Sequence, residues 1–138
     1  MKIYLAGKLG TESEKERLLK IDLLCKSIGL DTFLPHRDVG ICRGIDDVER
    51  VFHGDIIEGF NECDLVIASL DGLNVGSGTA WELGYAYAKG IPSIGLKIDE
   101  PVEEAIEYLS AIVIGSMPIV RSLEELKNKI IEILNLKV

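Results

Sequence analysis

Short apolar runs alternate with longer stretches whose apolar residues recur at helical spacing, and that alternation predicts a parallel α/β sheet. Ile3-Tyr4-Leu5-Ala6 reads as a buried strand. Leu18, Ile21, Leu24, Cys25 and Ile28 mark a helix from Glu12 to Ile28, which Gly29 ends. Asp31 to Leu34 reads as a second strand stopped by Pro35, and residues 35–44 as a loop. A helix is expected from about Asp46 to Cys63, carrying Val48, Val51, Phe52, Ile56 and Phe60. Asp64 to Leu70 is the clearest strand, followed by a glycine-rich loop, Asp71 to Gly78. Then come a helix from Thr79 to Lys89, a strand from Pro92 to Leu96 and a short helix from Pro101 to Leu109. Ala111 to Ile114 reads as a fifth strand or as a helix extension, and Ser122 to Leu136 as a closing amphipathic helix.

No repeat, low-complexity tract or linker interrupts this order, so residues 1–138 are expected to form one domain. The fold class expected is α/β: a doubly wound, flavodoxin-like parallel sheet of about five strands. Such sheets bind ligands at the carboxyl ends of their strands. The informative loops are therefore those after Ala6, Leu34 and Leu70.

Composition narrows the chemistry. A hydrophobic content of 47% and a charged content of 28% are ordinary for a soluble globular chain. The apolar runs are too short for a membrane span, and the start lacks the features of a signal peptide. Three widely spaced cysteines, Cys25, Cys42 and Cys63, suggest neither a disulfide framework nor a zinc site. Cys25 and Cys63 read as small core residues, and a reducing cytoplasm is the expected location. A formal net charge of −8 argues against a nucleic acid polymer as partner but leaves a mononucleotide open.

The segment from Gly76 to Gly84 follows the best strand and opens a helix. Thr79-x-x-Glu82 has capping-box spacing, in which Glu82 would only bond back to the helix start. A phosphate cradle of the P-loop kind would need a Gly-Lys-Ser/Thr that is not here, and a dinucleotide fingerprint would need glycine where Trp81 stands. The catalytic reading puts the Glu82 carboxylate in the first helical turn, ionised with the help of the helix dipole. There it could attack an electrophilic carbon. Small residues before it, Gly76, Ser77 and Gly78, would let a substrate come close.

Three segments resemble the nucleoside 2-deoxyribosyltransferase family: Tyr4-Leu5-Ala6-Gly7, Asp55-Ile56, and Gly78-Thr79-Ala80-Trp81-Glu82-Leu83-Gly84-Tyr85-Ala86. The resemblance runs from Lys2 to about Gly115 and extends to the family's 2'-deoxynucleoside 5'-phosphate N-hydrolases. It implies that Glu82 attacks the anomeric carbon of a deoxyribose and forms a covalent deoxyribosyl-enzyme, as in retaining glycosidases. A second base then accepts the sugar, or water does. It further implies that Tyr4 positions the nucleophile, that Asp55 lies near sugar or base, and that neither metal nor organic cofactor takes part. A homodimer or larger homo-oligomer is the implied assembly.

Two departures bear on substrate. Transferases of the family usually carry an aspartate six residues before the nucleophile, where this chain has Gly76; Asp71 and Asn74 are the loop candidates to replace it. The phosphate-specific hydrolases also lack that aspartate. Leu109-Ser110-Ala111 resembles their segment whose serine reaches a neighbouring subunit's site and contacts the 5'-phosphate. Their first loop carries an arginine where Lys8 would offer only a point charge. The substrate-binding residues expected are thus Gly7, Lys8, Asp71, Gly76, Ser77, Gly78 and Ser110. Pro35 to Asp38 is a further candidate for the base pocket, while Trp81 and Tyr85, four apart, are expected to pack in the core. A ribonucleotide phosphoribohydrolase of the "lonely guy" type shares the Gly76-x-Gly78-Thr79-x-x-Glu82 pattern, and a non-catalytic nucleotide sensor would account for Gly76.

Overall fold

Lys2–Ala6 (β1), Asp31–Phe33 (β2), Leu65–Ser69 (β3), Ser93–Leu96 (β4) and Ile119–Val120 (β5) form one parallel sheet in the order β2-β1-β3-β4-β5. The computed structural model describes residues 1–137. The central strands are apolar at nearly every position because helices cover both faces. Alternation along β1 sends Ile3 and Leu5 to one face and Tyr4 and Ala6 to the other. The first face packs on Glu12–Ser27 (α1) and Leu123–Leu134 (α7), through Leu18, Ile21, Leu126 and Ile130. The second packs on Ser77–Ala88 (α4), through Leu83 and Ala86, and on Ile56, Phe60 and Leu109.

From β1 the chain builds outward to β2, then returns to add β3 on the other side. The connections leaving β1 and β3 therefore diverge and leave a crevice at their carboxyl ends, the switch point where such sheets hold ligands.

Several boundaries differ from the sequence expectation. Pro35–Asp38 forms a helical turn (α2) instead of continuing the loop, with Pro35 at its first position, where a missing N–H costs nothing. The helix expected from Asp46 to Cys63 is a series: a 3₁₀ turn at Ile45–Asp47, Val48–Phe52 (α3), and a π-helical turn at His53–Glu58. The π turn is closed by the Gly59 N–H donating to the Gly54 carbonyl at 2.9 Å. Residues 101–109 likewise split into a 3₁₀ turn, Val102–Glu104, and Ile106–Leu109 (α5).

Ala111–Ser116 is helical (α6), and the fifth strand is Ile119–Val120, paired with Gly95 and Leu96. Ser110 makes that break: its φ of +77° ends α5, and its hydroxyl accepts from the Ile112 N–H to start α6.

Candidate active site

Tyr4 anchors the site from the middle of the sheet. Its ring is fully buried and stacks between Phe60, with centroids 4.1 Å apart, and Phe33, at 5.2 Å. Its hydroxyl donates to Oε2 of Glu82 on α4. Burial, and then the neighbouring Glu82 charge, push the Tyr4 phenol far up. It remains a proton-bearing donor at any working pH.

Glu82 lies in the second turn of α4, not the first. The helix begins at Ser77, with Gly76 as an N-cap that makes no side-chain hydrogen bond. The capping-box reading of Thr79 and Glu82 therefore fails: the start lies two residues upstream of Thr79, and Glu82 is bonded to Tyr4. The expected help from the helix dipole is weak as well, because that effect fades within the first turn. Burial pushes the Glu82 carboxyl up to about 7, Tyr4's hydrogen bond opposes this, and the Asp55 charge adds to it.

Asp55 comes from the π turn. Its Oδ1 is buried without a hydrogen-bond partner among the described residues, and burial pushes the carboxyl up to about 6 against the pull of Arg50. An unsatisfied buried oxygen costs free energy, and π turns recur at functional sites. Gly59 makes room for this arrangement. A Cβ there would run into the Asp55 carbonyl oxygen and approach Phe33 Cε1 to 2.7 Å and Tyr4 Cε2 to 2.8 Å. Gly59→Ala should therefore lower stability by about 1–3 kcal/mol through overpacking, read as a drop in the urea midpoint at unchanged slope.

Glu82 and Asp55 line one cavity of about 880 Å³ at the switch point. Its polar side comes from the β1–α1 loop and the start of α4: Gly7, Lys8, Gly76, Ser77, Gly78 and Thr79, with Glu14 from α1. Its apolar side comes from Pro35, Val48, Val51, Phe52, Ile56 and Trp81. Phe52 and Trp81 meet edge to face at 5.9 Å, each about half exposed. Trp81 is thus a rim residue, contrary to the core role expected of it. Tyr85 is half-buried, stacked on Trp81 at 5.6 Å and edge-on to Phe60.

The glycines differ in what they do. A Cβ at Gly7 would press on Leu18 at 3.1 Å and Ser69 at 3.3 Å, so this loop lies close on the core. A Cβ at Gly76 would meet Lys8 Cγ at 3.0 Å: the lysine stem occupies the space into which a side chain at position 76 would project. Gly78 faces open space. Lys8 Nζ itself donates to Asn74 Oδ1 at 2.9 Å and sits 3.5 Å from Glu14 Oε2.

Two expected substrate contacts lie elsewhere. Asp71 does not line the cavity; its carboxylate accepts from the Ile98 N–H at 2.7 Å and the Asp99 N–H at 3.2 Å, with Arg17 at 3.9 Å. It ties the β3 loop to the end of β4. Ser110 borders a separate groove of about 630 Å³ on the outer side of α4, beside Tyr87 and Ile112. Of the segment 35–38 only Pro35 reaches the cavity. Arg37 and Asp38 pair with each other at 2.8 Å, and Arg37 also reaches Asp22 at 3.1 Å.

Residues 3–112, most of the chain, match the family model of nucleoside 2-deoxyribosyltransferases. The chain belongs to that family. It is accordingly an enzyme of N-glycosyl transfer or N-glycosidic cleavage. No curated protein sequence matches it. Among solved structures, this deoxyribosyltransferase-family chain is similar to a conserved protein of Enterococcus faecalis V583 at 28% identity, with a TM-score of 0.74 over 96% of this chain and 98% of that one. It shares its fold with a 2-deoxyribosyltransferase of Bacillus psychrosaccharolyticus (22% identity, TM-score 0.75, 93% and 91% covered). A CMP N-glycosidase of Clostridium botulinum has the fold too (22% identity, TM-score 0.59, 99% and 100% covered).

Sequence reasoning missed two parts of this family member's cavity: Glu14 and the aromatic rim. Glu14 carried a signal, since Thr11-x-x-Glu14 is a capping box at the head of α1 that the structure forms. Phe52 carried none, because its helical spacing equally fits a buried stripe.

Proposed function

We propose that the enzyme transfers 2'-deoxyribose between nucleobases through a covalent intermediate on Glu82. What supports this is the pairing in one cavity of a carboxylate held by Tyr4 with a second carboxyl, Asp55, whose buried Oδ1 has no partner among the described residues. In the first step a Glu82 oxygen bonds to C1' as the C1'–N bond breaks, and the departing nitrogen takes the proton of Asp55. In the second, a nitrogen of another base attacks C1', returns a proton to Asp55, and Glu82 leaves as a carboxylate. Asp55 here takes the part of the aspartate that Gly76 replaces. The apolar side, with Phe52 and Trp81 on its rim, suits a flat base that must be held, released and exchanged.

Lys8 and the uncapped start of α4 favour one other reading, hydrolysis of deoxynucleoside 5'-monophosphates. The deciding assay is release of base from the 2'-deoxynucleosides and their 5'-monophosphates, with and without an added free base. Exchange onto the added base is the expected result, and release from monophosphates without exchange would replace transfer by hydrolysis. Ribonucleoside monophosphates in the same panel test the phosphoribohydrolase alternative, and ligand binding without any release would point to a sensor.

Pairing of two copies belongs to the same reading. Ser110 is too far round α4 to serve its own cavity, and its groove exposes Ile112 at 83% and Tyr87 at 70%. A second copy would cover these side chains and bring Ser110 to a neighbour's site. The three free thiols, Cys42 among them exposed, suit a reducing cytoplasm.

A further inference from the structure

We propose that Glu14 selects against a 5'-phosphate by holding Lys8, and so makes the enzyme a nucleoside enzyme; this rests on the cavity's being the N-glycosidic site. Among the described residues, Lys8 is the only lysine or arginine that lines the cavity. It is not free to meet an anion. Its Nζ donates to Asn74 Oδ1 at 2.9 Å, and Glu14 Oε2 lies 3.5 Å away. Both charged side chains are largely covered, at 32% exposure for Lys8 and 16% for Glu14, so water screens the pair only in part.

Glu14 is itself held in place. Its other oxygen, Oε1, accepts from the Thr11 N–H at 3.0 Å, and its own N–H donates to the Thr11 hydroxyl at 3.2 Å. The capping box thus aims a fixed negative charge at the one cation of the polar side. With Glu14, Asp55 and Glu82, the cavity lining carries three carboxyl groups against one ammonium. A dianionic phosphate placed there would have to displace Glu14 from Lys8 or stand beside it, and like charges a few ångströms apart disfavour both. A neutral 5'-hydroxyl meets no such cost and can bond to Lys8 or Glu14 as they stand.

One substitution separates the two specificities. Glu14→Gln keeps the cap, because a glutamine oxygen accepts from Thr11 as well, and removes only the charge. Lys8 then faces the start of α4, which has no side-chain cap.

The test compares kcat/KM for a 2'-deoxynucleoside and its 5'-monophosphate, at low salt, in wild type, Glu14→Gln and Glu14→Gln/Lys8→Met. Wild type is expected to favour the nucleoside. Glu14→Gln should move the monophosphate-to-nucleoside ratio up roughly tenfold, a gain that fades with added salt, and Lys8→Met should cancel it. A ratio unmoved by Glu14→Gln, or a wild type that already prefers the monophosphate, overturns the proposal. The same ratio is read as dissociation constants by calorimetry in a Glu82→Gln background. If no substrate is turned over, the glycosyl-transfer reading fails while the binding ratio still decides the role of Glu14.

Discussion

Glu82→Ala should lower base release by at least about 10⁴-fold, the scale on which losing a nucleophile costs an enzyme, while the protein stays folded. The fold survives because Glu82 contributes to the site more than to the core. Its carboxyl is ionised at a cost, pushed up to about 7 by burial, and removing that charge relieves the cost. What is lost, on the proposed mechanism, is the atom that bonds to C1'. The check has two parts, initial rates on the preferred deoxynucleoside and mass spectrometry of the enzyme quenched during turnover. Wild type should show a deoxyribosyl adduct on the peptide that contains Glu82, and the variant should show none. Near-normal rates in the variant, or an adduct on another residue, would sink the mechanism.

Asp55→Asn carries the second large effect, a fall in kcat/KM of about 10²–10⁴, typical of losing a general acid. Its pH behaviour separates this role from simple packing. Asp55 and Glu82 titrate as a pair, with apparent values of about 6 and about 7. The reactive form holds one proton, with the charge on Glu82 and the proton on Asp55. Because the Glu82 value is the higher, this is the less populated of the two singly protonated arrangements, and the Tyr4 hydrogen bond to Glu82 favours it. As pH falls below both values Glu82 is protonated and cannot attack, and above both values Asp55 has no proton to give. A bell-shaped kcat/KM profile with its top between about 6 and about 7 follows. In Asp55→Asn the alkaline limb should vanish. The single limb that remains should belong to Glu82 and lie below about 7, since the charge that helps raise Glu82 is gone. A profile shifted in neither limb would leave Asp55 a structural role only.

How much of this was legible in the sequence depends on what each element had to declare. β1, β3 and α4 were readable because a buried parallel strand needs an unbroken apolar run, and helices are punctuated by glycine. β5 was not: two residues after Pro118 carry too little periodicity to outweigh the apolar run 111–114, which Ser110 turns into a helix. Tyr4, Asp55 and Glu82 were named from the resemblance. Their geometry was out of reach, because a helix of uniform pitch places Asp55 differently from a π turn. Asp71 misled because an acid in a glycine-rich loop looks free, whereas two amides of the neighbouring strand's extension claim it. Glu14 went unnoticed because a residue that satisfies its cap looks fully explained, and its second oxygen does other work.

The π turn at His53–Glu58 has a consequence for how this site can change. A π turn holds one residue more than the α turn it replaces, so deleting one residue within it would restore an ordinary helix. Each residue of an α-helix advances by about 100°, and side chains beyond the deletion would rotate by about that much relative to the sheet. Asp55 and the ring of Phe60 that supports Tyr4 lie on opposite sides of such a deletion, and would lose their common orientation in one event. Substitution can adjust the apolar side of the cavity residue by residue, but the proposed acid, Asp55, is tied to the length of the chain. The lining of the cavity can therefore change by substitution, while an insertion or deletion between Gly54 and Gly59 would disturb Asp55 and Phe60 together.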